Sequence, residues 1–464
     1  MTVTTISAGQ TSRGLTLNDA DTALVFAGGT ALAATVPGGT LGVQYGGTAS
    51  ATSVTGGFLT VSAGGTAVAT SLAGGFALVL SGGVAKSTAV AGITSFEIVR
   101  AGGVSINTSV TSGYILVNSG GQASGTVLLS GGVDLVSGGT DTGAMITGYS
   151  TEDLIAGGTA IGTVAKAGGR QIVQSGGTAS ATMAGSGGAV YVTSGGTISG
   201  LTVSGGFVQL RDSGSDVILS QGNDTIEAGS GGDTVFASGA SARVYGGVGS
   251  LTFVAGSGSY TVGGGSGSNV LYGGSGENEL TGASGKTSIL VAGSGNATLS
   301  GGLGNSALLY GGAGYDAFEG GGGGGDTMVG GTGGNEFSSE SGGELAFGGA
   351  ADSSDFFGLN AGGTVVEGNG DDTVDLSGGT TTVFCGKGQS LFEVFGGQGG
   401  AATIVGFSAA DHLTLYRLTG TVDTTAALAS ATHGSFGTRL SLPDGTTLTL
   451  VGVASLNAAQ VSAG

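Results

Sequence analysis

Paired glycines recur along the first half of this chain at a near-constant interval, and that interval restricts the possible folds more than any other feature. Their second members stand at Gly29, Gly39, Gly47, Gly57, Gly65, Gly75 and Gly83, in alternating steps of ten and eight, so one unit is 18 residues, drifting to 19 farther on. The runs between them are short, β-branched and threonine-rich, with no helical period, which is a strand pattern. The glycine pairs supply positive-φ backbone for tight corners. When the units are stacked, Val43, Val61, Val79, Ile98, Val117, Val136, Ile155, Val173, Val192 and Leu210 follow at steps of 18 or 19. Ten aliphatics in one register predict an inner ladder of an all-β fold, a parallel β-solenoid of about 18–19 residues per coil. Strands at ~4.8 Å make these ten rungs roughly 50 Å long.

The period also makes sense of the composition. Glycine supplies 107 of 464 residues, yet 39% are hydrophobic and mean hydropathy is +0.35. Two prolines exclude collagen. The aliphatic content excludes a disordered chain, and a single cysteine, Cys385, excludes a disulfide scaffold or a thiolate zinc site. A net charge of −19 argues against nucleic acid as a partner. Every apolar run is short and broken by glycine, so membrane insertion is not expected. The first residues show no basic segment followed by an apolar one, so no Sec-type signal is expected there.

The repeats of residues 25–210, of which GGTASATSVTGGFLTVSAGGTAVATSLAGG is a sample, resemble those of AIDA-type autotransporter adhesin passengers. That resemblance implies a β-solenoid, contacts with cell surfaces or glycans, and frequent O-glycosylation of serine or threonine. The chain departs from the family in that no outer-membrane barrel pattern follows. Residues 1–24 are expected to cap the first coil.

From residue 211 to about 400 the period shortens to nine. Ile226, Val235, Val244, Phe253, Val262, Leu271, Leu280 and Ile289 are evenly spaced, and the series continues through Leu299, Leu308, Phe318, Met328 and Phe337, resuming at Val365, Val374, Val383 and Phe392. Turns such as GGGSGSNVLY and GGAGYDAFE resemble the RTX nonapeptide, G-G-x-G-x-D-x-U-x. The resemblance implies a two-nonapeptide coil with calcium between equivalent turns of successive coils. Calcium needs six to eight oxygens, several from carboxylates. The sixth position of the repeat offers Asp224, Asp233, Asp316, Asp326, Asn335, Glu344 and Asp372. No two aspartates fall on one edge in successive coils in this reading. Asp316 with Asn335 and Asp326 with Glu344 come nearest. Calcium is therefore expected at few sites, with residues 240–310 folding without it, and turn aspartates can also serve by bonding their own backbone.

Residues 1–210 carry seven acids and five bases, net 5 − 7 = −2, whereas 211–464 carry 23 and six, net 6 − 23 = −17. The tail, 401–464, reads as a small β cap, with a hairpin pairing Leu440 and Leu442 with Leu448 and Leu450 around Pro443-Asp444-Gly445. Its I-x-G-F-x-x-x-D-x-L-x-L and L-x-D-G-T-x-L-x-L-x-G-V elements resemble the C-terminal region of type I secreted RTX proteins, which implies export with an uncleaved signal. Candidates for chemistry are sparse. His412 and His433 lack metal-ligand spacing, Cys385 lacks a catalytic context, and Glu277/Glu279 or Asp371/Asp372 would need a groove to act on glycosides. The expectation is a non-enzymatic, secreted structural or adhesive protein acting in attachment, biofilm matrix or a surface layer. Alternatives are a homopolymer-forming filament subunit, or a β-helix active on polysaccharide or binding ice or mineral through Thr30, Thr40, Thr48, Thr66, Thr140, Thr159, Thr178 and Thr197.

Overall fold

The computed structural model describes residues 2–304, 306–350, 353–397, 399–416 and 424–464. The chain is an all-β, parallel β-solenoid of about 18 residues per coil, with a single α-helix, Thr424–Ala429, among the described residues. It divides into two compact units, Met1–Gly231 and Gly232–Gly464.

Coils of the first unit have three sides. Phe58–Val61, Thr66–Val68 and Ser71–Leu72 form one coil, and each strand pairs in parallel with its equivalent in the next, Phe76–Val79, Val84–Lys86 and Ala89–Ala91. The first corner shows why the glycines come in pairs. Gly64 has φ +74°, a left-handed conformation costly for other residues, while a Cβ on Gly65 would lie 2.4 Å from the Val43 carbonyl oxygen in the coil below. A second corner needs no glycine: Ala51, Ala69, Ser87 and Asn107 take φ of 54°, 54°, 53° and 55°. There the corner N–H groups of Ala51 and Ala69 donate to Val68 and Lys86 carbonyls of the next coil, so the strained backbone is satisfied by stacking.

Val25, Val43, Val61 and Val79 line the first side, Ala31, Ala49, Ala67 and Ala85 the second, and Val36, Val54, Leu72 and Val90 the third, all buried. Two rungs differ from the expected ladder. Val79 is followed by Val99, and Val136 by Leu154, so Ile98 and Ile155 point outward. A one-residue slip moves every side chain of a strand to the other face, and the stacking of neighbouring coils decides it here. Residues 1–24 are themselves wound as the terminal coil. Val3–Ile6 and Thr11–Arg13 already pair with Thr22–Val25 and Thr30–Leu32 as a coil, because Gly9 and Gly14 (φ +76° and +63°) turn its corners singly.

Coils of the second unit have two sides. One sheet runs through Gly232–Ala237, Ser250–Ala255 and Asn269–Tyr272, the other through Ser241–Tyr245, Ser259–Gly263 and Asn278–Thr281. Its core rows follow the nine-residue series except that Leu290 and Leu309 replace Ile289 and Leu308, since each insertion falls in the turn before the strand. Phe318, Phe337 and Phe357 stack inside it, with centroids 4.7 Å apart at both steps and planes within 10° and 3°. At the C-terminus Gly437–Ser441 and Thr447–Val451 form the expected hairpin, with Leu440 opposite Leu448. Its second arm lies on Ala401–Val405, and Val461–Ala463 lies on His412–Tyr416, so both sheets end against the tail. Ending an edge this way removes a template for stray pairing.

Candidate functional site: outward ladders and buried turn acids

Parallel stacking repeats each outward position up the sheet as faithfully as each inward one. In the second unit the residue after the core rung forms one outward row: Phe236, Val254, Tyr272, Val291, Tyr310, Val329, Phe347, Val366, Phe384 and Val405. From Tyr272 to Phe384 an aromatic ring stands on alternate coils, with a valine between. The rings are thus ~10 Å apart, two strand spacings. Tyr272, Tyr310 and Phe384 are 42%, 38% and 44% exposed, so each presents much of its ring.

The first unit builds a different stripe. Phe58, Phe76, Phe96 and Tyr114 are in register on its first side and stack on one another, with centroid separations of 5.3, 5.3 and 4.9 Å. Stacking covers the ring faces and leaves mainly edges outward. On the second side Thr30, Thr48 and Thr66 form a threonine row, as do Thr140, Thr159, Thr178 and Thr197, with Val84, Val104 and Gln122 between the two runs. Thr40 belongs to the first side instead.

The acids singled out for calcium are buried at the turns and meet backbone N–H groups. Asp316 accepts from Ala297 and Gly312, and Asp326 from Ala307 and Gly321. Glu344 accepts from the Asp326 N–H at 2.7 Å. Asn335 accepts from Gly331 through Oδ1, and Asp372 accepts from Asp355 and Gly368, both at 3.0 Å. Asp224 accepts from Gly205, Gln221 and Gly222 and from the Ser220 hydroxyl. Asp233 is buried at its turn.

Most of these acids therefore tie their own turn to the equivalent residue one coil below. Asp316 and Asn335 are in register, as expected, and Asp326 and Glu344 are bonded. Asp355, passed over in the sequence, does pair with another aspartate: it lies one coil below Asp372 and accepts the Asn335 N–H at 3.0 Å. Asp411 was missed likewise and accepts from Ser390 and Ser408. Both follow insertions between glycine turns, which hides them from a strict nine-residue count. Burial raises Asp316, and raises Asp372 to about 6 with help from the charges of Asp355 and Asp371, against the N–H donors. A calcium cage needs oxygens converging from several ligands. Among the described residues no three of these acids bring their carboxylates together, and N–H or hydroxyl donors meet the oxygens of Asp224, Asp316, Asp326, Glu344 and Asp372.

The other candidates have simple settings. Glu277 and Glu279 line a shallow groove of about 450 Å³ with Tyr260, Asn296 and Tyr315, but they stand two residues apart on one wall, not across it. Asp371 accepts the Gln389 N–H at the surface while Asp372 is buried, so that pair points in opposite directions. His412 bonds Ser462, and His433 bonds Thr438, each at 3.0 Å. Burial, with the charges of Glu367 and Asp411, pushes the Cys385 thiol far above its ordinary range, leaving it a poor nucleophile.

No protein-family model matches the sequence, and no curated protein sequence matches it. Among solved structures, the crystal structure of a TibC-catalysed, hyper-glycosylated TibA fragment is similar, at 33% identity over 51% of this chain and 91% of that one, with a TM-score of 0.43. No helix among the described residues is long and apolar enough to cross a membrane.

Proposed function

We propose that this chain is an extracellular adhesive β-solenoid, and that its working surface is the aromatic–valine row of the second unit. One observation carries the reading: the row runs in register over ten successive strands, and its rings Phe236, Tyr272, Tyr310 and Phe384 are exposed while the residues between are part-exposed. Contiguous apolar surface of this extent marks a binding face. Its partner must be extended and flat, and must offer apolar faces at intervals matching rings two coils apart. Surface glycans have that chemistry, since sugar rings present C–H faces to aromatic side chains. The strong negative charge of residues 211–464 repels anionic polymers, which favours neutral glycans. Each contact is weak, and repetition along the row supplies avidity.

Pull-down on insoluble neutral polysaccharides and on a glycan array tests this. Binding should fall more than tenfold in a Tyr272→Ser, Tyr310→Ser, Phe384→Ser variant whose circular dichroism is unchanged. Equal binding by this variant, or no binding by the parent chain to any glycan, refutes the reading. Export by a type I route, with residues 401–464 as an uncleaved signal, belongs to the same proposal. A reporter fused to 401–464 that stays inside cells carrying such an exporter would remove that part.

A further inference from the structure

Glu97, Asp134, Asp141 and Glu152 are buried inside the three-sided coils of the first unit, and they are accommodated in two opposite ways. Glu97 is met by hydroxyls: Thr88 and Ser105 donate to Oε1 at 3.2 and 3.1 Å, and Thr108 to Oε2 at 2.6 Å. Two coils on, Asp134 and Glu152 are neighbours in register on the same inner row, and Asp141 comes from the second side of the Asp134 coil. One oxygen from each of the three lies within 4.8 Å of those of the other two.

All three residues are 0% exposed. Glu152 Oε2 accepts from Thr163 and Gln171 at 2.9 and 2.8 Å, but Glu152 Oε1 and all four oxygens of Asp134 and Asp141 have no partner among the described residues. Ala144 interrupts the inner threonine row at this coil, between Thr126 below and Thr163 above. Thr126 Oγ1 is buried and unpartnered as well. Where Glu97 has three hydroxyl donors, this cluster has bare oxygens facing one another.

We propose that Asp134, Asp141 and Glu152 hold one hard divalent cation of the calcium class inside the first unit, enclosed as the coils close over it. Three carboxylates cannot all stay charged in a dry interior without a counter-charge. Two oxygens 4.8 Å apart can share one ion lying ~2.4 Å from each, and three reach it after small side-chain shifts. An all-oxygen set without histidine or thiolate selects calcium, magnesium or manganese over softer metals. The second oxygens of the two aspartates bring the free carboxylate donors to five, and water or a neighbouring oxygen fills the rest of the shell. Without an ion the cluster must take up protons instead: burial, reinforced by the Asp141 charge, lifts Asp134 far above the ordinary carboxylate range and Glu152 to about 8.

Metal content decides the matter. The full chain, folded in calcium, magnesium and manganese and then dialysed against EDTA, is analysed by plasma mass spectrometry. One retained equivalent is expected in the parent and in an Asp355→Asn, Asp372→Asn variant, and none in Asp134→Asn, Asp141→Asn. No stoichiometric metal in the parent, or an equal amount in the Asp134/Asp141 variant, overturns the proposal. Should that variant fail to fold, the parent chain refolded with calcium and with EDTA supplies the answer. A higher Tm with the ion supports the site, and identical Tm values in both refute it.

Discussion

The two units wind coils of nearly equal length around cores of different shape. The first divides 18 or 19 residues among three short strands and three tight corners; the second divides them between two longer strands and two glycine-rich turns. A three-sided coil leaves a narrow interior, filled by rows of valine and alanine. A two-sided coil is a thin sandwich that admits Leu271, Phe253 and the Phe318–Phe337–Phe357 stack. The first unit consequently carries its ring stack outside, whereas the second admits one into its core besides the outer Phe395–Tyr416 pair. Acids differ as well: Glu97, Asp134, Asp141 and Glu152 lie inside the three-sided coils, whereas Asp224, Asp316, Asp326, Glu344 and Asp372 clasp glycine-rich turns. The repeat length alone therefore does not determine the interior; the number of corners decides which side chains fit.

Substitutions can break this contrast. Phe337→Ala should cost ~3–5 kcal/mol, because it empties the middle of a buried stack, while Phe76→Ala in the outer stack should cost about 1 kcal/mol. Equal losses by denaturant titration would contradict the assignment of one stack as core and the other as surface. Gly65→Ala should cost roughly 2–3 kcal/mol, since its Cβ collides with the Val43 carbonyl. Hydrogen exchange should quicken around residues 43–83 and stay unchanged in 232–464.

A pH series tests the turn acids. Burial, then the charges of Asp372 and Asp411, raise Glu367 to about 7 against donation from Ser390 and Gly386. A raised folded-state pKa means the folded form holds the proton more tightly. The resulting stability is complete below the ordinary glutamate range and is lost as pH rises through about 7. The second unit should therefore gain stability between about pH 8 and about pH 5, and Glu367→Gln should flatten much of that slope. An unchanged slope would point to other groups. The smallest effect is expected of Ala69→Gly, which relieves a left-handed alanine (φ 54°) and should add on the order of 0.5 kcal/mol.

Fold class and most inner rungs were readable in the sequence, because glycine pairs and aliphatics repeat at the same interval. The misread rungs are instructive. In Phe96-Glu97-Ile98-Val99 the local pattern favours Ile98 inward and Glu97 in water, yet stacking on Val79 places Val99 inside and Glu97 with it. Around Leu154 the same displacement hides Glu152. A buried acid contradicts the alternation from which strand register is read, so the rungs carrying unusual interior chemistry are the ones that a hydrophobic pattern misplaces. The second corner of the first unit was invisible for another reason: alanine, serine and asparagine occupy its left-handed positions in the early coils. The outward row of the second unit was legible in principle, as an aromatic residue or valine after each core rung, but nine-residue counting attends only to the core.

Coils that bond only to their neighbours can be duplicated or deleted one at a time without disturbing the rest, so unequal recombination can lengthen or shorten such a chain in whole steps. The valine–alanine coils before Glu97 are interchangeable in this sense. The coils from Asp134 to Gln171 are not, because Glu152 depends on Gln171 above and faces Asp141 below. Related chains should accordingly vary in coil number on the N-terminal side of Glu97 and keep the Asp134–Gln171 block intact as one heritable piece.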